Sequence, residues 1–136
     1  MSIKLRIATF NLENLDDKPG QKPTLEERIA LMRPQLLRLN ADILCLQEIN
    51  GQETVGLPRR LLALEKLLTG TLYADYHHVS TLTGGGMQVY DQRNLVILSR
   101  FEITEYREYL HDFATPPHYR KVTAKPLETE ATAVSW

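Results

Sequence analysis

The sequence feature that most constrains the fold is a run of four apolar residues, 43–46, that leads into a carboxylate at Glu48. Turn-forming residues border the run, with Asn40 on one side and residues 50–51 on the other. A half-exposed strand alternates apolar and polar residues, so this unbroken run predicts a strand over residues 42–48 that is covered on both faces. Glu48 then ends the strand at the sheet edge where layered α/β folds bind ligands. An ion pair with an arginine is the purely structural alternative for this carboxylate.

A second predicted strand, earlier in the chain, also ends in polar residues. Apolar residues alternate with charged residues over residues 3–6 and with Ala8 and Phe10 after that, which predicts a strand over residues 3–11 that becomes more buried toward its end at Asn11. The residues that follow, among them Glu13 and Asn14, are polar or turn-forming and predict a loop. Three polar side chains are therefore expected close to one strand end.

A helix is predicted between these two strands. Thr24 and Glu27 have the spacing of a capping box, and apolar residues then recur at steps of four and three, which predicts a helix over residues 25–39. A strand, a helix and a strand in this order favour a parallel pair of strands. Parallel strands end at the same sheet edge, so Asn11 and Glu48 are expected to lie there together.

The rest of the chain gives weaker patterns. Leucines with helical spacing come first, followed by a segment in which apolar and polar residues alternate weakly. A second apolar run and a more exposed alternating segment come next. A proline-containing stretch with few large aliphatic residues follows them. Three consecutive glycines predict a hairpin turn before the second apolar run. The predicted elements are a helix over residues 58–69, strands over 73–81, 94–99 and 102–109, and an irregular segment over 111–130.

Composition indicates one ordinary globular domain. The 136 residues are 43% hydrophobic and 24% charged, a balance that suits a single core. A formal net charge of −1 excludes a strongly basic protein that its net charge would draw to nucleic acid. Cys45 has no partner for an internal disulfide, which suits a reducing compartment. No apolar run approaches transmembrane length, so we predict a cytoplasmic protein without membrane insertion.

Three segments carry a family resemblance. Residues 7–14, 41–48 and 93–100, with the sequences IATFNLEN, ADILCLQE and RNLVILSR, together resemble the endonuclease/exonuclease/phosphatase superfamily. The resemblance implies a four-layer α/β/β/α sandwich with mixed β-sheets, which agrees with the α/β (α+β) class that the strand and helix patterns predict. It also implies that residues 1–136 form the N-terminal portion of a single domain of this kind.

The resemblance assigns roles to four residues, and Arg93 is considered beside them for its charge. Glu48 corresponds to a glutamate that binds a divalent metal, Mg²⁺ or Mn²⁺, and Asn11 corresponds to an asparagine at the metal or the scissile phosphate. Glu13 corresponds to a further metal-associated position. Arg93 is expected to contact substrate phosphate, and Asn94 either positions the substrate or serves the structure. Carboxylate and amide oxygens are the hard ligands that Mg²⁺ prefers.

The implied activity is a metal-dependent hydrolysis of phosphate esters, of nuclease or phosphodiesterase type. After residue 105, however, the sequence contains neither the Gly-Asp-x-Asn motif nor the terminal Asp-His pair of the family. The four histidines, His77, His78, His111 and His118, lie outside any family motif. The general base and further metal ligands are thus missing, and the isolated chain is expected to be an inactive fragment.

Two other kinds of function remain open from the residues alone. One is a non-catalytic binding module that self-associates through an uncovered sheet. The other is an open α/β domain that binds a small ligand at the strand ends. The substrate is also open: scattered arginines and near-neutral charge do not choose between nucleic acid, lipid head groups and sugar phosphates.

Overall fold

The computed structural model describes residues 4–109 and, for two short strands, the backbone of residues 118–119 and 131–132. The chain divides into two compact units, Met1–Tyr106 and Arg107–Trp136. The described part of the first unit contains six strands, two α-helices and one 3₁₀ turn. These are β1 (Ile7–Leu15), α1 (Leu25–Leu39), β2 (Ile43–Ile49), β3 (Gln52–Thr54), β4 (Leu57–Arg60), α2 (Leu62–Leu68), the 3₁₀ turn (Leu72–Asp75), β5 (His77–Ser80) and β6 (Asn94–Ser99).

A four-stranded mixed sheet organises the first unit, with the strand order β1-β2-β6-β5. Strands β1 and β2 are parallel, whereas β6 runs antiparallel to both of its neighbours. The parallel pair and the connecting helix α1 confirm the predicted strand-helix-strand unit, and the mixed sheet confirms the α+β class. The carboxyl ends of β1 and β2 and the amino end of β6 share one edge of the sheet. The four-layer sandwich stays a prediction.

Helix α1 has the predicted bounds because its first turn is capped locally. The Thr24 hydroxyl accepts a hydrogen bond from the Glu27 backbone N–H (3.2 Å), and the Glu27 carboxylate accepts one from the Thr24 N–H (2.7 Å). The helix ends at Asn40, whose φ of 42° is left-handed. Such a reciprocal capping box satisfies two helix donors that would otherwise lack partners.

The hydrophobic core lies between the helices and one face of the sheet. The Tyr73 hydroxyl joins two parts of this core, since it donates to the Leu36 carbonyl (2.8 Å) and accepts from the Ala41 N–H (3.0 Å). Burial of these apolar side chains is the main source of stability for the sheet and helices. The fully buried core side chains include Leu12, Leu15, Leu25, Leu36, Leu44, Leu46, Ile49, Leu67, Tyr73 and Val96.

The opposite face of the sheet carries exposed apolar side chains. Ile7 is 62% exposed, Ile97 42% and Leu95 40%. In β6 they alternate with the buried Val96, as expected where only one face of a strand packs on a core. The prediction that residues 42–48 are covered on both faces is met only in part among the described residues, since Leu44 and Leu46 are buried but Ile43 and Cys45 on the other face are half-buried.

Strand β1 differs from its predicted bounds at both ends. It begins at Ile7 rather than at residue 3, and residues 4–6 form no strand. It continues to Leu15 through residues that were expected to form a loop. The polar residues after Asn11 belong to a bulge inside the strand, and Leu15 pairs again with Ile49.

Three further predictions are partly or wholly wrong. The helix expected over residues 58–69 is shorter, since Leu57–Arg60 is strand β4 and pairs with β3. The strand expected over residues 73–81 starts only at His77, after the 3₁₀ turn. Residues 102–109 form no regular element. Leucine spacing misled at Leu57, whose side chain is exposed and takes no part in the core.

Besides residues 107–109, the second unit is described at two short strands, β7 (His118–Tyr119) and β8 (Ala131–Thr132), which pair antiparallel. Both positions of β7 fall in the segment that was predicted to be irregular. The remainder of that segment, residues 111–117 and 120–130, lies outside the described residues.

Candidate functional site

Strained backbone conformations concentrate at the sheet edge where β1 and β2 end and β6 begins. Five non-glycine residues of the described chain have positive φ, and four of them lie here: Glu13 (46°), Asn14 (53°), Glu48 (58°) and Arg93 (56°). The fifth, Asn40, ends α1. A left-handed conformation costs an L-residue about 1–2 kcal/mol. Residues held in this way cluster at functional sites, so this edge is the candidate site.

A bulge in β1 places the first group of polar residues. Asn11 pairs with Gln47 and Leu15 pairs with Ile49, so β1 advances four residues while β2 advances two. Two extra residues are therefore accommodated in β1 between Asn11 and Leu15. Bulges redirect side chains and are common next to active sites.

A second bulge in β2 places Glu48. Leu46 pairs with Val96 and Ile49 pairs with Asn94, so β2 advances three residues while β6 advances two. The extra residue bends the end of β2 at the same edge as the bulge in β1. The two strand ends that the sequence predicted to lie together are thus neighbours, and both are irregular.

Asn11 is exposed and its side-chain amide has a fixed orientation. Its Oδ1 accepts a hydrogen bond from the Glu13 backbone N–H at 2.8 Å. A backbone N–H can only donate, so the oxygen must face Glu13 and the Nδ2 group must face the other way. Asn11 therefore presents a hydrogen-bond donor, which suits a phosphate oxygen, while Oδ1 keeps one lone pair.

Glu48 and Glu13 supply the carboxylates of this edge. Glu48 is half-buried and Glu13 is exposed. Among the described residues, neither carboxylate has a hydrogen-bond or ion-pair partner, and the five ion pairs involve other acids. The arginine partner that was the structural alternative for Glu48 is therefore not found in the described part of the chain.

The donor set at this edge fits a hard divalent cation. Mg²⁺ is usually held by one or two carboxylates and keeps several waters, which Glu48 and Glu13 could satisfy. In the described residues, no group of three or more His, Cys, Asp or Glu side chains is placed to hold a metal. A metal at this edge would therefore be held by the carboxylates of Glu48 and Glu13 and the Asn11 oxygen. Its remaining ligands would be waters or residues other than the described ones.

The buried carboxylate of Asp16 lies next to this edge and accepts several hydrogen bonds. It is 6% exposed and accepts hydrogen bonds from Asn50 Nδ2 (2.9 Å), Gln52 Nε2 (3.0 Å) and the Asp17 N–H (2.8 Å). Lys18 Nζ lies 3.1 Å from it. Burial by itself raises the pKa of Asp16, but the hydrogen bonds from Asn50 and Gln52 and those from Asp17 and Lys18 outweigh it and lower the pKa below its ordinary value.

Asn50 connects this carboxylate to Arg93. Its Oδ1 accepts a hydrogen bond from the Arg93 backbone N–H at 3.1 Å. The Arg93 side chain in turn reaches β1, with Nε 3.4 Å from the Asn14 Oδ1. The structure thus brings Arg93 to the edge that carries Glu48 and the bulge of β1.

Asn94 is fully buried and its amide is occupied by the protein. Nδ2 donates to the carbonyls of Ile49 (2.9 Å) and Tyr90 (2.8 Å). Oδ1 accepts from the Tyr90 N–H (2.8 Å) and from the Thr81 hydroxyl (3.1 Å). Of the two roles considered from the sequence, this environment favours the structural one, in which Asn94 fastens the end of β2 to the loop before β6.

The histidines of the first unit lie away from this edge. His77 pairs with Ser99, which also pairs with Ile43 at the start of β2. His77 and His78 are therefore toward the opposite edge of the sheet from Glu48. His111 lies outside the described residues, and of His118 only the backbone is described. The described residues accordingly offer no histidine base at the candidate site.

Sequence reasoning missed three residues of this edge: Asp16, Asn50 and Arg28. Asp16 and Asn50 read as ordinary loop residues, although each directly follows an apolar residue at a strand end, Leu15 and Ile49. Arg28 lies on α1, and its guanidinium contacts the backbone of the β1 bulge. Nothing in its spacing distinguishes it from a solvated helix arginine.

Comparison with known proteins supports the family. A model described as Endonuclease/Exonuclease/phosphatase family matches residues 8–131, which is most of the chain. The chain therefore belongs to the endonuclease/exonuclease/phosphatase family. Members of this family are usually hydrolases of phosphate esters and generally use divalent metals. Neither a search of curated proteins nor a search of solved structures found a match. Within the described residues, no helix is both long and apolar enough to cross a membrane.

Proposed function

We propose that this chain carries the metal- and phosphate-binding half of a divalent-metal-dependent phosphoesterase of the nuclease or phosphodiesterase type. The observation that carries the proposal is the gathering of Glu13, Asn14, Glu48 and Arg93, all left-handed, at one sheet edge. Such backbone strain persists only where the surrounding structure enforces it. Two of these four residues, Glu13 and Glu48, were also assigned to the site by the family resemblance.

In this proposal Glu48 and Glu13 hold Mg²⁺ or Mn²⁺. The bound ion would polarise a phosphoryl oxygen and offset charge that develops on the phosphate. Asn11 donates from Nδ2 to a phosphate oxygen, since its Oδ1 is held by the Glu13 N–H. Arg93 contributes a guanidinium, the side chain best suited to a phosphate because of its paired donors. These residues bind and orient a phosphate ester.

Activation of water is assigned to residues beyond this edge. The described part of the chain offers no histidine there, and carboxylates that ligate a metal are poor candidates for that task. The isolated chain is therefore proposed to bind metal and phosphate but not to turn over substrate. The substrate class is a phosphate ester, with nucleic acid among the candidates. A cytoplasmic location is part of the proposal and is supported by the single cysteine, Cys45.

The first test is calorimetric titration of Mg²⁺ and Mn²⁺ into the purified chain. We expect saturable binding that is lost in Glu48→Gln, which keeps the side chain's shape but removes its charge. Glu102→Gln is the matched control, because Glu102 is exposed and lies far along the chain from this edge. Binding by Glu48→Gln as tight as that of the original chain would refute the role of Glu48. A folded chain without any binding would refute the metal site.

A second candidate function is a non-catalytic module that associates with a second copy of itself. The exposed apolar side chains of Ile7, Leu95 and Ile97 on the sheet face favour it, since grouped apolar exposure often marks an interface. Sedimentation velocity distinguishes the two functions. Concentration-dependent dimers that Ile97→Lys abolishes would support self-association, and a monomer at all concentrations would exclude it.

A further inference from the structure

Arg28 makes an unusual set of contacts for a helix arginine. It lies in the first turn of α1, and its guanidinium donates to the backbone carbonyls of three consecutive residues, Leu12, Glu13 (3.0 Å) and Asn14 (3.2 Å). One terminal nitrogen, Nη2, serves Leu12 and Glu13, and the other, Nη1, serves Asn14. None of the ion pairs among the described residues includes Arg28.

These three carbonyls belong to the bulge of β1. The ladder with β2 pairs Asn11 and Leu15 but no residue between them. Left-handed conformations at Glu13 and Asn14 turn the chain away from the regular ladder. Backbone carbonyls that lose their ladder partners need other donors, because an unpaired polar group in a partly buried place is costly. The planar fork of an arginine supplies several donors in one fixed arrangement, which the single ammonium of a lysine cannot match.

The bulge also sets the orientation of Asn11. The Glu13 N–H, inside the bulge, donates to the Asn11 Oδ1 at 2.8 Å. If the bulge relaxed, the Asn11 amide would be free to rotate and the Glu13 carboxylate would change direction. Both side chains belong to the proposed site, while Arg28 itself points to backbone.

We infer that Arg28 is a positioning residue: it holds the β1 bulge in the conformation that orients Asn11 and Glu13 for metal and phosphate. The inference rests on the proposed function for the identity of the ligands. The contact between Arg28 and the bulge, and its effect on the backbone, can be tested independently of any ligand.

The test compares Arg28→Lys with Arg38→Lys on the intact chain. Both changes keep the charge and lie on α1, but Arg38 is exposed, and among the described residues its side chain hydrogen-bonds Gln35 of the same helix. Amide hydrogen exchange followed by NMR reports on the bulge through the Glu13 N–H and on the core through the Leu44 N–H of β2. Calorimetry with Mn²⁺ alone reports on the site.

In Arg28→Lys we expect the Glu13 amide to exchange about tenfold faster or more, while the Leu44 amide is unchanged. We expect Mn²⁺ affinity to fall about tenfold to a hundredfold, as is typical when the support of a metal ligand is removed. Arg38→Lys should change neither quantity. Arg28→Gln, which shortens the side chain and removes its charge, should reproduce the effect on Glu13.

The outcomes separate this inference from the proposed function. Unchanged exchange at Glu13 in both Arg28 variants would overturn the inference whatever the metal does. Faster exchange with unchanged Mn²⁺ affinity would also overturn it, because the bulge would then not matter to the site. If the original chain binds no Mn²⁺ and the Arg28 variants still exchange faster at Glu13, Arg28 does stabilise the bulge, and the metal site of the proposed function is refuted.

Discussion

The side-chain amide of Asn50 donates a 2.9 Å hydrogen bond to the buried carboxylate of Asp16. An ionised carboxylate can only accept, so this bond fixes which end of the amide faces Asp16 and turns its oxygen to the Arg93 N–H. One buried charge thus orients a residue that in turn holds the left-handed backbone of Arg93. The hydrogen bonds from Asp16 through Asn50 to Arg93 therefore stabilise the candidate site.

Asp16→Asn is expected to destabilise the chain. The new amide would keep one oxygen, and its NH₂ group would face one of the two amide nitrogens, Asn50 Nδ2 or Gln52 Nε2, that now donate to the carboxylate. Mispaired buried donors cost about 1–3 kcal/mol of unfolding free energy. Urea unfolding measures the loss, with Asp75→Asn as the control because Asp75 is exposed. Equal stability of the two variants would contradict the role given to Asp16.

The lowered pKa of Asp16 predicts loss of stability in acid. The pKa of Asp16 is lower in the folded state than its ordinary value of 3.8. The unfolded chain therefore binds the proton more readily as the pH falls. The stabilising contribution is therefore complete above the unfolded pKa and is lost as the pH falls through the folded one. Urea unfolding across acidic pH should show a smaller decline in Asp16→Asn. Parallel declines in both chains would assign acid sensitivity to other carboxylates.

Gly51→Ala should loosen the loop that carries Arg93. An added Cβ would lie 2.6 Å from the Tyr90 carbonyl oxygen and 2.5 Å from Arg59 Cδ. The Arg59 side chain could shift, but the Tyr90 backbone is held by Asn94. We expect a loss of about 1–3 kcal/mol in thermal or urea unfolding, as for overpacking in a core.

Gly84→Ala is the matched control for that change, because nothing lies within 4 Å of a Cβ at Gly84. It should leave stability nearly unchanged. The Gly51 N–H also donates to the Asp91 carbonyl (3.0 Å), so displacement there should reach the loop before β6. If Gly51→Ala were as stable as Gly84→Ala, the close approach at Gly51 would have no energetic consequence.

Local signals explain which parts of the fold could be predicted. The capping box at Thr24 lies within one turn of helix, and the apolar runs that give β2 and β6 are continuous in sequence. The order of strand, helix and strand then placed Asn11 and Glu48 on neighbouring strand ends. Each of these inferences needs only residues that are close along the chain.

The bulge of β1 could not be predicted because its cause is distant. Glu13 and Asn14 resemble loop residues. The donor to their carbonyls, Arg28, lies 14 and 15 residues further along the chain, in another element. Asp16 and Asn50 are 34 residues apart and pair only in the folded chain. Strand and site details that depend on such long-range polar contacts leave no periodic trace in the sequence.

Asn11→Asp tests whether this residue serves phosphate or metal. Aspartate keeps the oxygen that accepts from the Glu13 N–H but replaces the outward Nδ2 donor with a second oxygen. In the presence of Mn²⁺, the affinity for inorganic phosphate should fall about tenfold or more, because a charge-assisted donor is lost and a negative charge is added. Affinity for Mn²⁺ itself should not fall. Calorimetry measures both affinities. Asn14→Asp is the control, because it adds the same charge at this edge but leaves the Asn11 donor in place. Phosphate binding that Asn11→Asp leaves intact, or reduces no more than Asn14→Asp does, would show that Nδ2 does not contact the phosphate.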